Sequence, residues 1–518
     1  MIHRSHTLTV MAATTLLAIA TTSARTTADA QVTPAVVTSP VDSASSAAAL
    51  LPGDLAGTGV TEPPAADVQV RRPGLAQGDI FVAPQSMTDD PRGPEIMDDH
   101  GRPIWFRELP TTSFATNFRV QEYRGEKVLT WWEGEATNTG KGTGIGYIAN
   151  ENYEIIATVQ TPDTGEALDL HEFLLTPQGT ALVISYQQKP HDLSSVGGDK
   201  DGTVVDSVVQ EIDIATGKKL MDWSAVEHVP LTDSDSRART DTDLAFDFLH
   251  VNSVGLDTDG NLLISAFGAS TVYKVDRHTG EVIWRLGGRN SDFRLGIGAR
   301  FSWQHDVRAA GDNTYRVFDN ATSNGLQGYE SRVAWIKVDP ERGTARLVRQ
   351  LTHPDLMSTL REGGSQSLDN GNTFVNWAAA TPGRISEFSP DGRLLFDATF
   401  PFSSTSSSYR AYRLDWEGKP LTKPKLLTED AAAGTVHANW NGASDVARWR
   451  LLAGASDGTL KPVATAAWDG FDTPITLPAG ARDADRLQVQ ALDARGKVIG
   501  TSSVTPVDAD ASATNGDG

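Results

Sequence analysis

The stretch 248–288, FLHVNSVGLDTDGNLLISAFGASTVYKVDRHTGEVIWRLGG, is two hairpins laid end to end, and it constrains the fold more than any other. A short strand with His250 and Asn252 enters the turn Asp257-Thr258-Asp259-Gly260, and 261–266 answers it. Residues 272–276 alternate apolar and polar, turn at His278-Thr279-Gly280 and return as 282–286. Period-two alternation, β-branched residues and Gly/Asp turns at this spacing predict four antiparallel strands.

The pattern recurs. Inner hairpins reappear at 169–185, 303–320 and 363–377, and more loosely at 114–132. Outer hairpins reappear at 93–109, 146–160, 209–223, 333–351 and 384–400. A repeating four-stranded unit of about forty residues is a propeller blade. The first unit, starting at Asp79, lacks an inner strand, while a spare strand follows the sixth at 408–416. If the spare strand completes the first unit, no sheet edge is left open. The expected fold class is all-β: a six-bladed β-propeller over 74–430, then a small fibronectin- or Ig-like β-sandwich.

The sandwich is expected over 435–507, where short alternating strands follow a change of composition, with Trp440 and Trp449 in its core. Residues 508–518 read as a disordered acidic tail. At the other end, residues 1–30 read as a secretory signal peptide: a basic start, an apolar 8–20, and Ala28-Asp29-Ala30 for cleavage. The Ala/Pro/Ser/Thr-rich 31–73 reads as a disordered linker, with structure starting near Gly74. The protein is thus expected to be secreted, without membrane insertion. A net charge of −21 disfavours nucleic acid as a partner, and the lack of cysteine excludes thiol nucleophiles and cysteine-bound metals. The glycines at 140, 142, 144 and 146 read as a flexible hairpin end; no phosphate-binding loop, G-x-S-x-G or H-E-x-x-H is present.

Aligning the inner hairpins on their turns puts His171, His250 and His305 near the start of three consecutive innermost strands. Equivalent positions of a propeller face one channel mouth, so the three imidazoles are expected to converge. Asn252, two residues after His250, is expected on the same face of its strand. Asn117, Ser365 or Gln366, and Arg410 occupy comparable positions elsewhere. Glu172 and Asp306, each next to a histidine, are expected to point away.

DLHEF, FLHVNSV with DGNLLIS, VYKVDRHTGEVIWRLGG, FSWQHDVR and SYRAYR, taken in order, resemble the actinobacterial and fungal branch of the arylsulfotransferase (ASST-like) proteins. The resemblance covers about 75–420. It implies a six-bladed propeller that moves a sulfuryl group from an aryl sulfate to a phenol through a sulfohistidine, without nucleotide donor, cofactor or metal. By motif, His305 matches the sulfated histidine, His250 and Asn252 the pair on the sulfuryl oxygens, and His171 a further channel histidine. Phe267 stands where the family has an arginine; Arg308, Arg294 and Arg410 are candidates to replace it, and Arg308, Arg410, Asn117 and Gln366 are expected to bind substrate. Two alternatives stay open: a non-catalytic ligand-binding propeller, and a metal-dependent hydrolase or oxygenase using the three histidines as ligands.

Overall fold

The computed structural model describes residues 63–85, 91–137, 139–162, 167–240, 244–321, 330–378, 380, 382–400 and 408–507. The expected signal peptide at 1–30 and tail at 508–518 lie outside the described residues. Six sheets follow one another along the chain, antiparallel except for a short parallel strand on the third (Phe246–Asp247) and on the fifth (Arg294–Leu295). The second runs Phe114–Tyr123, Glu126–Ala136, Gly142–Ala149, Ile155–Val159, and the fourth runs Val251–Leu256, Leu262–Ala266, Thr271–Val275, Val282–Gly287. The third starts at Phe173–Leu175, the fifth at His305–Ala309 and the sixth at Gly364–Ser367. In the first sheet, Tyr412–Leu414 pairs with Asp79–Val82, so a strand from the far end of this region supplies the inner position.

Each sheet contributes one face to a cluster shared with the next. Leu182, Ile184 and Trp223 meet Val254, Ile264 and Tyr273 between the third and fourth sheets. Phe318, Val333 and Trp335 meet Val375, Trp377 and Phe388 between the fifth and sixth. Ile80, Val82 and Met97 meet Phe374, Ile385 and Phe396, joining the sixth sheet back to the first. Both faces of these strands are therefore buried, and sheet-to-sheet packing replaces a single core. Inner strands touch between the other neighbouring sheets, ending with Tyr412–Leu414 against Phe114–Tyr123, while between the third and fourth Val251–Leu256 meets Thr180–His191.

Two expectations fail here. The linker was expected to run to residue 73, but Asp67–Arg71 is a strand paired antiparallel with Leu394–Thr399. Composition hid its alternation: Val68 and Val70 are half-buried while Asp67, Gln69 and Arg71 are exposed. The glycine run is not a flexible end either, since Gly142–Ala149 is a strand. A Cβ on Gly144 would come within 2.5 Å of the Trp132 ring, and one on Gly146 within 2.7 Å of Phe173. Those glycines let two aromatic rings lie on the backbone.

Residues 425–507 form two further sheets around a cluster of their own that includes Trp449, Val436, Ile475 and Val489; Trp440 packs against it half-buried. This region docks through Asn441, whose amide both accepts from the Phe106 N–H (3.0 Å) and donates to the Phe106 carbonyl (2.9 Å). The Tyr153 hydroxyl donates to the Gly442 carbonyl at 2.8 Å. A chain ended near residue 430 is expected to stay folded, losing about 1–3 kcal/mol with these bonds. Aggregation of that shortened chain, read by size-exclusion chromatography, would show that the two regions share a core.

Candidate active site

The three histidines do come together. His171, His250 and His305 line one cavity of about 730 Å³ with Phe267, Tyr409 and Glu362. The His171 and His250 rings lie 4.9 Å apart, edge to face. Phe267 stands between His250 and His305, its ring 5.5 Å from each, and rests on Trp303. Tyr409 faces His171 at 5.6 Å and His305 at 6.5 Å. The site thus joins a polar cluster to aromatic walls.

Each imidazole is oriented by a different partner. His171 Nδ1 meets Asp169 Oδ1, and Asp169 is itself held by N–H groups of His171 (2.9 Å) and Gly142 (2.6 Å). His250 Nδ1 donates to Asp247 Oδ2 at 2.8 Å, and Lys141 Nζ is 2.7 Å from that carboxylate. Burial raises the Asp247 carboxyl, yet His250 and then Lys141 hold it well below the usual range. A carboxylate only accepts here, so both imidazoles carry hydrogen on Nδ1 and leave Nε2 for the cavity.

His305 differs. Its Nδ1 is 2.9 Å from Asn320 Oδ1, while the Glu362 backbone N–H donates to Nε2 at 3.1 Å. Asn320 Nδ2 donates to Thr359 and to the Glu362 carbonyl, so the amide orientation is fixed. An N–H cannot accept; Nε2 therefore holds the lone pair and Nδ1 the hydrogen. Burial, together with the charges of His171, His250 and Arg410, lowers the His305 pKa to about 3. His171 is lowered too, by burial against the opposing pull of Asp169. Both are neutral near pH 7.

The other expected site residues are elsewhere. Asn252 does not share the cavity: its Nδ2 donates to the Gln304 carbonyl at 2.7 Å. Asn117 donates to the Leu170 carbonyl and accepts from Arg410 at 2.6 Å. Arg410 is buried beneath the histidines against Glu172 (2.9 Å), Arg308 and Gln366 line a second cavity, and Arg294 is exposed on an edge strand. For Asn117, Asn252 and Arg308 the cause is shared. Register breaks fall at Thr116/Arg119, Val251/Ser253 and His305/Arg308, and Asn117, His250 and Asp306 have φ of 55°, 47° and 50°. Bulges at the same place in three sheets suspend the alternation on which those assignments rest.

Glu172 and Asp306 do point away from the histidines, into a buried ion cluster. Glu172 takes Arg119 (3.1 Å), Arg308 (2.7 Å) and Arg410 (2.9 Å), and Asp306 takes Arg308 at 2.8 Å. Sequence reasoning did not find Asp169, Asp247, Asn320, Tyr409 or Glu362. The D-x-H and D-x-x-H spacings were visible signals for the first two; Asn320 and Glu362 carry none. Among the described residues, no three His, Cys, Asp or Glu side chains are arranged to hold a metal ion. The Glu362 N–H aimed at His305 Nε2 also disfavours the three-histidine ligand set, since a donor faces the atom that would bind.

No curated protein matches the chain. Similar solved structures include a Bacteroides caccae protein of unknown function: 11% identity, 65% of this chain and 98% of that one, TM-score 0.41. They also include the periplasmic gluconolactonase of Pseudomonas aeruginosa: 11% identity, 77% of this chain, 99% of that one, TM-score 0.34. A streptogramin B lyase is similar at 10% identity, 67% of this chain, 91% of that one, TM-score 0.31. At these scores the likenesses carry no argument. The sequence pattern of the arylsulfotransferase (ASST) family, by contrast, matches residues 119–401, more than half of the chain, including His171, His250, Phe267, His305 and Glu362 of the cavity. The chain belongs to the arylsulfotransferase (ASST) family.

Proposed function

We propose that the chain is a secreted six-bladed β-propeller enzyme of the actinobacterial and fungal branch, which transfers a sulfuryl group from an aryl sulfate to a phenol through a sulfohistidine at His305. Family membership supports arylsulfotransferase-like function and small aryl substrates. The propeller reading rests on six successive sheets, each sharing an apolar cluster with the next and the sixth with the first. Secretion rests on the basic and apolar start of the sequence. The observation that carries the mechanism is the difference in backing: Asn320 behind His305, a carboxylate behind each of His171 and His250.

A neutral amide leaves His305 uncharged, with a lone pair on Nε2. In the first step that pair attacks sulfur, the S–O(aryl) bond breaks, and the departing phenolate takes a proton that His171 or His250 has first taken up from solvent on Nε2. In the second step the same imidazole removes the acceptor phenol's proton, the phenolate oxygen attacks sulfur, and the N–S bond breaks. Asp169 or Asp247 stabilises the transient imidazolium. Phe267, Phe114 and Leu170 line the cavity where an aryl ring would sit. The Glu362 N–H occupies Nε2 and has to give way before attack; it can then donate to a sulfuryl oxygen.

The test is incubation with a chromogenic aryl sulfate, with and without a phenol, followed by intact-mass measurement. Product released in step with added phenol, and protein heavier by one sulfuryl group without it, are the expected results. Saturable binding of the aryl sulfate with no turnover would favour a binding propeller, the reading to which Phe267 at the arginine position points. Phe267→Arg is expected to raise kcat by about tenfold, because a guanidinium would then face both His250 and His305 where charge develops. An unchanged or lower kcat would show that the aromatic wall is the functional choice.

A further inference from the structure

We infer that the protein has a second binding site, for a small organic oxyanion with an apolar body, in a cavity separate from the histidines. That cavity has a volume of about 490 Å³ and shares no lining residue with the first. The same strands reach both: Thr116 and His305 line the histidine cavity, Arg119 and Arg308 the second. Glu172 and Arg410 form the partition between them. This assignment is independent of sulfuryl transfer.

The cavity carries uncompensated positive charge. Arg119, Arg308 and Arg316 line it, and Arg410 lies just beneath. Glu172 and Asp306 are the carboxylates that these guanidiniums share. Both are ionised: burial opposes charge, but Arg308 and Arg410 hold each below the usual range. Among the described residues, Arg316 has no carboxylate at ion-pair distance. It is 7% exposed and donates only to neutral oxygens, Ser367 Oγ at 2.6 Å and the Ser365 carbonyl at 2.8 Å. Among the described residues its Nε has no hydrogen-bond partner, nor has the buried Ser365 Oγ. A buried cation without a counter-charge is costly unless something outside the chain supplies one.

The remaining walls define the rest of the ligand. Val120, Leu175, Pro177 and Leu414 are apolar, and Gln121 and Gln366 are polar without charge. An arginine floor under an apolar collar suits a carboxylate or sulfonate head on a ring-sized body. Glu122 is the one acidic residue on the exposed rim.

Calorimetric titration of the full chain with benzenesulfonate and, separately, benzoate tests this, with benzyl alcohol as the neutral control. One-to-one binding that weakens as salt is raised is expected for the anions alone. Arg316→Gln is expected to weaken it by about tenfold or more. Glu122→Lys, an exposed change that leaves the fold untouched, is expected to strengthen it several-fold, and it decides the matter alone if Arg316→Gln does not fold. His305→Ala is expected to leave it unchanged, which separates this site from the other mouth. Absence of binding, or affinities insensitive to the rim and floor substitutions but lost in His305→Ala, would overturn the second site. The tighter of the two probes identifies the preferred head group.

Discussion

His305→Ala is expected to abolish sulfuryl transfer, with loss of at least about four orders of magnitude in kcat. The reason lies in the roles that the hydrogen bonds leave open. His305 is the imidazole of the three whose lone pair is fixed on Nε2 by a donor and whose other nitrogen is held by a neutral amide. His171 and His250 are tied to carboxylates, which makes them better proton carriers than transient sulfuryl carriers. Neither can take over a covalent step from its own position. His171→Ala is expected to slow the reaction only about a hundredfold, since His250 stays beside the leaving oxygen. Rapid-quench assays with mass detection of the protein distinguish the cases: no sulfated protein in His305→Ala, slow formation in His171→Ala. Normal turnover in His305→Ala would remove the histidine mechanism.

The pH dependence follows with a definite sign. The pKa of His305 is lowered to about 3 by burial, so the folded protein binds a proton there less readily than the unfolded chain. Stability is therefore present above the ordinary histidine value and is lost as pH falls from there toward about 3. In the rate profile, His305 stays a neutral nucleophile through mildly acid pH. An acid limb in kcat would then report the proton-carrying imidazoles.

How much of this was legible depends on which rule the chain obeys. The repeat pattern located all the hairpins because alternation and turn residues are local, and 257–260 is a turn wherever it occurs. The return of Tyr412–Leu414 to Asp79–Val82 was legible because an edge left without a partner requires one. Convergence of the histidines followed from a shared repeat position. Asn252, Asn117 and Arg308 lie away from the histidine cavity because bulges re-aim side chains, and nothing in T-N-F-R or H-V-N-S announces an extra residue. Strand Asp67–Arg71 was lost inside a composition average. Asn320 and Glu362 reach His305 across a hairpin and a loop, a closeness that only the folded chain creates.

The partition between the two cavities gives the largest expected effect on stability. Glu172 is wholly buried and accepts from Arg119, Arg308 and Arg410. Glu172→Gln keeps the shape and removes the charge, leaving four buried guanidiniums, Arg316 included, around Asp306 alone. Breaking a buried pair in this one-sided way costs about 3–5 kcal/mol, against a typical total of about 5–15 kcal/mol. A clear fall in the denaturation midpoint at pH 7 is expected, larger than that from an exposed pair such as Arg342–Asp339. The sign with pH is opposite in origin but similar in direction to that of a buried histidine. The Glu172 carboxyl is held below its ordinary value, chiefly by Arg308 once burial is overcome, so its contribution is present above that value and lost as pH falls through the lowered one. Wild type and Glu172→Gln should therefore differ most at neutral pH and converge in acid. Parallel midpoints for the two proteins across that range would mean that Glu172 carries no charge in the folded state, and the partition would then have to be held by packing.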